Sequence, residues 1–400
     1  MTVLDVEALR AEFPALAGSQ IYLDGPAGTQ VPNRVIRAVT EALITAMSNV
    51  GGQFGSSRRS DGVVERARAA AADFVGGAPT EMVFGHNMTS LTFAMSRALS
   101  EGWNEGDRII LSALEHDANI TPWVRAAASR GVLVDFVDFD RATTALDIDE
   151  LESMIDEQTR LVAVTACSNA FGTLVDVARV SRAAKRVGAL TYVDAVHLAP
   201  HRRIDVEAIG CDFLVCSSYK FFGPHLGIMW IRGSLLEKLP AFRVRPAPDH
   251  GPGRWETGTA PFELLAGFTA AVDYLASLGW GADRRGALDV AFAEIGAYEV
   301  RLAERFLAGL PTGVRVVGQP TVEGRVPTFA VQVDSLTAIE VATQLGEAGI
   351  ATWSGHYYAV EPMSRLGFLD SGGLTRIGFV HVSTPREVDS VLASLAILES

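Results

Sequence analysis

Two apolar, β-branched runs in this chain each end in a charged residue: LTYV leads into Asp194, and DFLVCSSY leads into Lys220, 26 positions further on. A strand covered on both faces tolerates no charge in its middle, but it can present one where it runs out. In an open parallel sheet, the carboxyl ends of the strands are where ligands bind. An aspartate and a lysine brought together at that edge suit pyridoxal phosphate. The lysine forms a Schiff base with the cofactor, and the carboxylate pairs with its protonated pyridine nitrogen.

The surrounding pattern supports such a sheet. Strand-like runs MVFG, RIILSAL, VLVDFVDF, LVAVTAC, LTYVDA, FLVCSSY and IMWIR are separated by helical segments near 90–99, 119–129, 148–155 and 177–187. This alternation predicts an α/β fold with a mainly parallel sheet and helices on both faces. Upstream, an amphipathic helix is expected over 6–13 and another over 31–47. GGQFGSS (51–57) reads as a glycine-rich loop before a helix over 63–74. Past the Gly/Pro-rich stretch 251–261 comes a long helix (262–278). Runs VRVVG, TFAVQV and TRIGFVHV, separated by helices, then read as a smaller α+β unit.

Composition narrows the partners. The chain has 400 residues, enough for about two domains, with 34 basic and 47 acidic side chains and a formal charge of −13. That balance argues against nucleic acid or an anionic membrane as partner. MTVLDVEALRAEFPAL lacks a basic segment followed by an apolar one, so no signal peptide is expected. No uncharged run approaches the ~20 residues that span a bilayer. Cys167, Cys211 and Cys216 are an odd count, which fits a reducing compartment. A cytoplasmic protein is expected.

Further residues suit the same cofactor. Asn87-Met88-Thr89-Ser90 lies between a strand and a helix, where backbone amides and the Thr89 and Ser90 hydroxyls either hold a phosphate or cap the helix. Ser217 and Tyr219 flank the same position beside Lys220. His116 follows the strand RIILSA, and its imidazole either stacks on the pyridine face or plays a structural part. Asn169 follows LVAVTAC and either bonds the cofactor's phenolic oxygen or makes a turn. His197 either bonds the ring hydroxyl or caps the turn after Asp194. Arg376 lies within an apolar strand, where a guanidinium either grips a substrate α-carboxylate with two parallel hydrogen bonds or forms an edge salt bridge. A nicotinamide enzyme fits less well, because no G-x-G-x-x-G turn follows the first strand.

With these residues assembled, the chain resembles the class V aminotransferase superfamily of fold type I pyridoxal phosphate enzymes, and within it the group II cysteine desulfurases. The likeness runs over essentially the whole chain, through YLDGPAGTQVP, EHDANITPW, SNAFGT, VDAVH, SSYKFFGPHLGIMW, WETGTAP and TRIGFVHVSTPREVD. It implies a large domain (21–265) with a mainly parallel seven-stranded sheet, a small α+β domain (266–400) and an N-terminal arm (1–20) packing with the small domain. It implies Schiff-base formation by Lys220, ring-nitrogen pairing by Asp194, stacking by His116 and carboxylate binding by Arg376. Thr89, Ser217 and Tyr219 are assigned to the phosphate. Thr259 is assigned to the phosphate of a neighbouring subunit, which implies a homodimer with shared active sites.

The chain also departs from that pattern. Group II desulfurases carry a reactive cysteine in a loop R-x-G-x-x-C-A; the matching stretch is WSGHYYA, with Trp353 at the arginine position and Tyr358 at the cysteine position. A phenol cannot hold the substrate sulfur as a persulfide, because that step needs a thiolate. His197 replaces the usual glutamine, and Tyr219 the usual histidine beside the lysine. Trp353, His356, Tyr357 and Tyr358 are expected to make an aromatic pocket near the substrate side chain. The expected activity is therefore an aminotransferase or carbon–sulfur lyase acting on an α-amino acid. The alternatives are a desulfurase with a non-standard sulfur acceptor, an epimerase, or a non-catalytic cofactor-binding dimer.

Overall fold

The computed structural model describes residues 4–398; residues 1–3 of the expected arm lie outside them. After a two-residue strand β1 (Ile21–Tyr22), the chain builds one large sheet from β2 (Met82–Gly85), β3 (Arg108–Ser112), β4 (Leu133–Val137), β5 (Thr159–Thr165), β6 (Leu190–Asp194), β7 (Phe213–Ser217) and β8 (Gly227–Ile231). Its seven strands lie in the order β2-β8-β7-β6-β5-β3-β4. The pairs β7–β6, β6–β5, β5–β3 and β3–β4 are parallel, and only β8 runs against its neighbours.

The continuous apolar runs follow from burial of both sheet faces. Val162, Val164, Leu214, Cys216 and Trp230 pack into one core. Their neighbours Leu161, Ala163, Phe213, Val215 and Met229 pack into another on the opposite face. Fully burying one such aliphatic side chain is worth roughly 1.5–3 kcal/mol. The connecting helices carry ordinary end signals. Asp176 accepts from the Arg179 amide ahead of the helix Val177–Val187, and Gly188 closes that helix at φ +79°.

The C-terminal part contributes β9 (Val314–Val317), β10 (Thr328–Val333), β11 (Ile350–Ala351), β12 (Trp353–Gly355) and β13 (Leu374–Gly378). Four of them form an antiparallel sheet in the order β12-β13-β10-β9. Phe306, Phe329, Phe379 and Val388 lie in the core shared with helices Arg284–Ala308 and Pro385–Leu398. β11 pairs in parallel with β1, so the strand leading into YLDGPAG is stitched to this second unit.

Several elements differ from the expected ones. The helix expected from residue 63 starts at Gly55. Glycine and serine are poor helix formers there, but Ser57 and Ser60 donate to the Asn49, Ala46 and Ser48 carbonyls, and these contacts hold the first turns. The N-terminal helix stops at Arg10, because Phe13 before Pro14 is extended. The strand expected over 375–382 ends at Gly378, whose amide donates to the Leu23 carbonyl. The expected boundary at 265/266 falls inside the helix Phe262–Ala276, which packs on helices Asn33–Thr45 and Gly55–Val75.

Candidate active site

The large sheet aims three groups at one edge. Asp194 is the last residue of β6, in register with Thr165 of β5 and Val215 of β7. It is 4% exposed, and its Oδ1 accepts from the Val196 amide at 2.8 Å. Burial pushes its carboxyl up to about 6, against the pull of that amide and of Lys220. Lys220 ends the turn Ser218–Lys220 that follows β7. Its Nζ donates to the Pro26 carbonyl and lies 5.0 Å from the centre of the Tyr219 ring. Burial, followed by the nearby Arg376 charge, brings the amine down to about 7. His116 follows β3, and its Nδ1 accepts from the Ala118 amide at 3.0 Å. Burial holds the imidazole down at about 4, with Lys220 and Arg376 pushing the same way.

The second unit closes the pocket. Arg376 on β13 is 3% exposed and donates one N–H to the Asn169 carbonyl at 2.9 Å. Its Nε has no acceptor, and among the described residues no carboxylate pairs with it. Burial brings the guanidinium down to about 10. An unpaired buried arginine is costly, which marks a place for an anion. The loop after β12 holds Tyr357 and Tyr358 at φ +52° and +58°, a conformation that costs a non-glycine residue about 1–2 kcal/mol. Tyr357 is buried under Arg376, 4.6 Å from its ring centre, and its hydroxyl donates to the Leu374 carbonyl. Tyr358 is 67% exposed, stacks on His116 at 5.4 Å, and its carbonyl accepts from the Asp117 amide. Asn169 donates to the Tyr357 carbonyl at 2.9 Å, leaving its buried Oδ1 without a partner. His356 and Trp353 are exposed, with Trp353 opposite Arg376 in the β12–β13 pairing.

The expected phosphate donors differ in how far they are already engaged. Ser217 accepts the Met88 amide at 3.0 Å, tying the N-terminus of the helix Met88–Ser100 to the end of β7. Gly227 permits this closeness, since a Cβ there would sit 2.5 Å from the Asn87 backbone. Thr89 is half-buried, its hydroxyl bonded only to the Met88 sulfur at 3.6 Å, and so is open to a further acceptor. Ser90 is exposed and serves the helix cap, exchanging bonds with Asn87. Tyr219 stacks on His225 at 4.7 Å, beside Lys220. His197 is buried, with its Nε2 3.0 Å from the Thr328 hydroxyl of β10. Thr259 is exposed in the 251–261 stretch. Cys167, Cys211 and Cys216 are all buried, and burial pushes each thiol up, that of Cys211 to about 12.

Two acids were missed in the sequence. Glu115, fully buried beside His116, accepts from Ser112, from Asn119 at 2.8 Å and from the Thr165 amide at 2.5 Å. Asp24 lies beyond β1 with a buried Oδ1 that has no donor. Each is a charge closing an apolar run (LSALE, IYLD), the signal that singled out Asp194.

A lysine and an aspartate near adjacent strand ends, a helix N-terminus beside them and an unpaired buried arginine opposite match the arrangement expected of a fold type I pyridoxal phosphate site. The family Aminotransferase class-V matches residues 21–391, and the chain belongs to it. An uncharacterized protein of Mycobacterium tuberculosis is 32% identical, over 98% of this chain and 99% of its own. A probable cysteine desulfurase of Pseudomonas aeruginosa is 32% identical, over 89% of this chain and 90% of its own. The apo structure of a cysteine desulfurase from Thermococcus onnurineus superposes with a TM-score of 0.90 at 26% identity, over 100% of this chain and 98% of its own. The chain is a pyridoxal-phosphate-dependent enzyme of cysteine desulfurase-like build. Among the described residues no helix is long and apolar enough to cross a membrane.

Proposed function

We propose that the protein acts on an α-amino acid as an aminotransferase or carbon–sulfur lyase, without storing sulfur on a thiol of its own. The observation carrying this reading is Arg376, a buried guanidinium with no carboxylate partner, across the pocket from the Lys220 amine and the Asp194 carboxylate. These residues fit pyridoxal phosphate. The buried Oδ1 of Asn169 and Nε of Arg376 lack partners, and the Thr89 hydroxyl is open. When bound, the cofactor supplies an electron sink for a carbanion at the substrate's Cα. Asp194 would hold the proton of the pyridine nitrogen, His116 would cover a ring face, and Thr89, Ser217 and Tyr219 would hold the phosphate. Arg376 orients the substrate by its carboxylate. Lys220 takes the Cα proton and returns it; an amine brought down to about 7 can do both near neutral pH.

The loop argues against a protein-bound persulfide. Tyr358 stands where a desulfurase loop has its cysteine, and the three thiols present are buried and held protonated. The P. aeruginosa relative is named a probable cysteine desulfurase, and the second reading is a desulfurase; with the three thiols of this chain buried, the sulfur would pass to an external thiol. The protein is further inferred to be a cytoplasmic homodimer, with Thr259 reaching the partner's phosphate site. Exposed Ile36, Leu43 and Ile44 on the helix Asn33–Thr45, with Met47 just beyond it, form an apolar face that supports such pairing.

The test is a panel of amino acids, L-cysteine included, assayed for keto acid, sulfide and amino-group transfer to an added keto acid. Amino-group transfer without sulfide identifies an aminotransferase. Sulfide or another leaving group with no added acceptor identifies a lyase, and sulfide only with an added thiol identifies the second reading. Absence of every product over the panel overturns the proposal.

A further inference from the structure

Beyond the roles already given, the chemistry has used neither Glu115 nor Asp24, and of these two Asp24 is the one that acts on Lys220. Asp24 lies in the turn Asp24–Thr29, where the Ala27 amide donates to its carbonyl at 2.7 Å. That turn is clasped to the lysine loop on both sides of Lys220. The Thr29 amide and hydroxyl donate to the Tyr219 carbonyl at 3.0 and 3.2 Å, and the Phe222 amide donates to the Thr29 hydroxyl at 2.6 Å. Phe222, which makes this bond, sits at φ +69°. The Lys220 Nζ reaches into the turn and donates to the Pro26 carbonyl. From the other side, the Gly378 amide holds the Leu23 carbonyl, placing the turn two residues from Arg376.

Charge makes the arrangement pointed. The groups around Lys220 are Asp194 after β6, His197 in the next turn, His116 after β3, Tyr219 in its own turn, Arg376 on β13 and Asp24 after β1. Under the reading above, Asp194 belongs to the ring nitrogen and Arg376 repels an ammonium, while Asp24 faces both cations, Arg376 more strongly and Lys220 next. Asp24 is the remaining anion, and a buried acceptor lacking a donor is costly. An ammonium offers three N–H donors, of which the Pro26 carbonyl takes one.

We propose that the Asp24–Thr29 turn is the receiving site for the Lys220 amine whenever it is not covalently engaged, with the Pro26 carbonyl orienting it and Asp24 as a positioning residue that balances its charge against Arg376. This rests on Lys220 being the cofactor lysine. Asp24 thereby sets how much of the free amine is protonated while it exchanges a proton with the substrate.

The chain's other lysines are Lys185 and Lys238, so amine labelling reads each site separately. Full-length, cofactor-stripped wild type, Asp24→Asn and Asp24→Glu are pulse-labelled by reductive methylation from pH 5 to 9 and quantified by peptide mass spectrometry. Loss of the anion destabilises the ammonium, so at pH 6 Lys220 is expected to label about 3–10-fold faster in Asp24→Asn; a shift of one pKa unit corresponds to tenfold. Lys185 and Lys238 serve as unchanged internal standards, and Asp24→Glu is expected to restore much of the wild-type profile, which a purely structural role would not produce. An unchanged Lys220 profile in Asp24→Asn overturns the proposal. So does an unchanged profile with weakened amino-acid binding, which would assign Asp24 to Arg376 instead. Failure of the underlying reading shows separately: Lys220→Ala protein would then still bind the cofactor covalently, as seen by borohydride reduction and mass spectrometry.

Discussion

The edge of the large sheet and the loop Trp353–Ala359 meet at His116 and Tyr358, yet they are built in opposite ways. Asp194 is buried at the end of a strand hydrogen-bonded on both sides, and its carboxylate is oriented by a backbone amide. Tyr358 is 67% exposed, sits in the left-handed region, and touches the sheet edge through one ring stack and one backbone bond. The first region has little freedom to change without losing core; the second can change its side chain while keeping its backbone. Under the proposed reading the difference separates two properties: the sheet edge would set the cofactor and the first proton transfer, and the loop would set which reaction follows.

The largest effect should come from the sheet edge. Lys220→Ala is expected to lower kcat by roughly 10²–10⁴-fold, the usual contribution of a positioned acid–base group. It should also abolish the cofactor adduct trapped by borohydride. Residual covalent attachment would break the assignment. Arg376→Ala comes next. Loss of a charge-assisted bidentate contact costs about 1.5–3 kcal/mol, so apparent amino-acid affinity should fall roughly 10–150-fold. Titration of product formation against amino-acid concentration checks this, and an unchanged affinity would move the carboxylate site elsewhere.

Asp194→Asn sharpens the comparison through stability. In the cofactor-free fold the carboxyl titrates at about 6, above its ordinary 3.8, so the folded state binds more protons than the unfolded one between those values. Stability contributed by this group is present at low pH and is lost as pH rises toward and through 6. Replacing the buried carboxylate should therefore raise the melting temperature of cofactor-free protein at pH 7, and raise it less at pH 5. Calorimetry at the two pH values is the check; a variant that melts lower at pH 7 would mean the carboxylate is already compensated in the fold.

The same contrast explains what the sequence made legible. Asp194, Lys220, His116 and Arg376 are polar interruptions of apolar runs, and a strand buried on both faces shows such interruptions plainly. The helix Val177–Val187 lies where the alternation of apolar runs and helical segments placed it. Glu115 and Asp24 obey the same rule but lie beside other candidates, in EHD and in a turn motif, and were passed over. The early start of the helix Gly55–Val75 was not readable, because it depends on serine bonds to a separate segment. The burial of Tyr357 beneath Arg376, beside an exposed Tyr358, was equally hidden. Adjacent identical residues give no periodic signal, and only the paired left-handed conformations turn one ring inward and the other outward.

The smallest effect should come from the residue that departs most from the family loop. Tyr358 meets His116 with its ring, 5.4 Å between centres and 18° between planes, and its hydroxyl takes no part in that contact. Tyr358→Phe should therefore leave kcat and apparent affinity within about threefold of wild type, since a contact kept intact contributes no difference. Tyr358→Ala removes the stacked ring, an interaction of about 0.5–1.5 kcal/mol, and should cost roughly 2–13-fold through a less ordered His116. Steady-state kinetics on the substrate found by the panel measures both. If Tyr358→Phe fell as far as Lys220→Ala, the phenolic hydroxyl would be a working acid–base group, and the loop would share in the chemistry that the sheet edge otherwise performs alone.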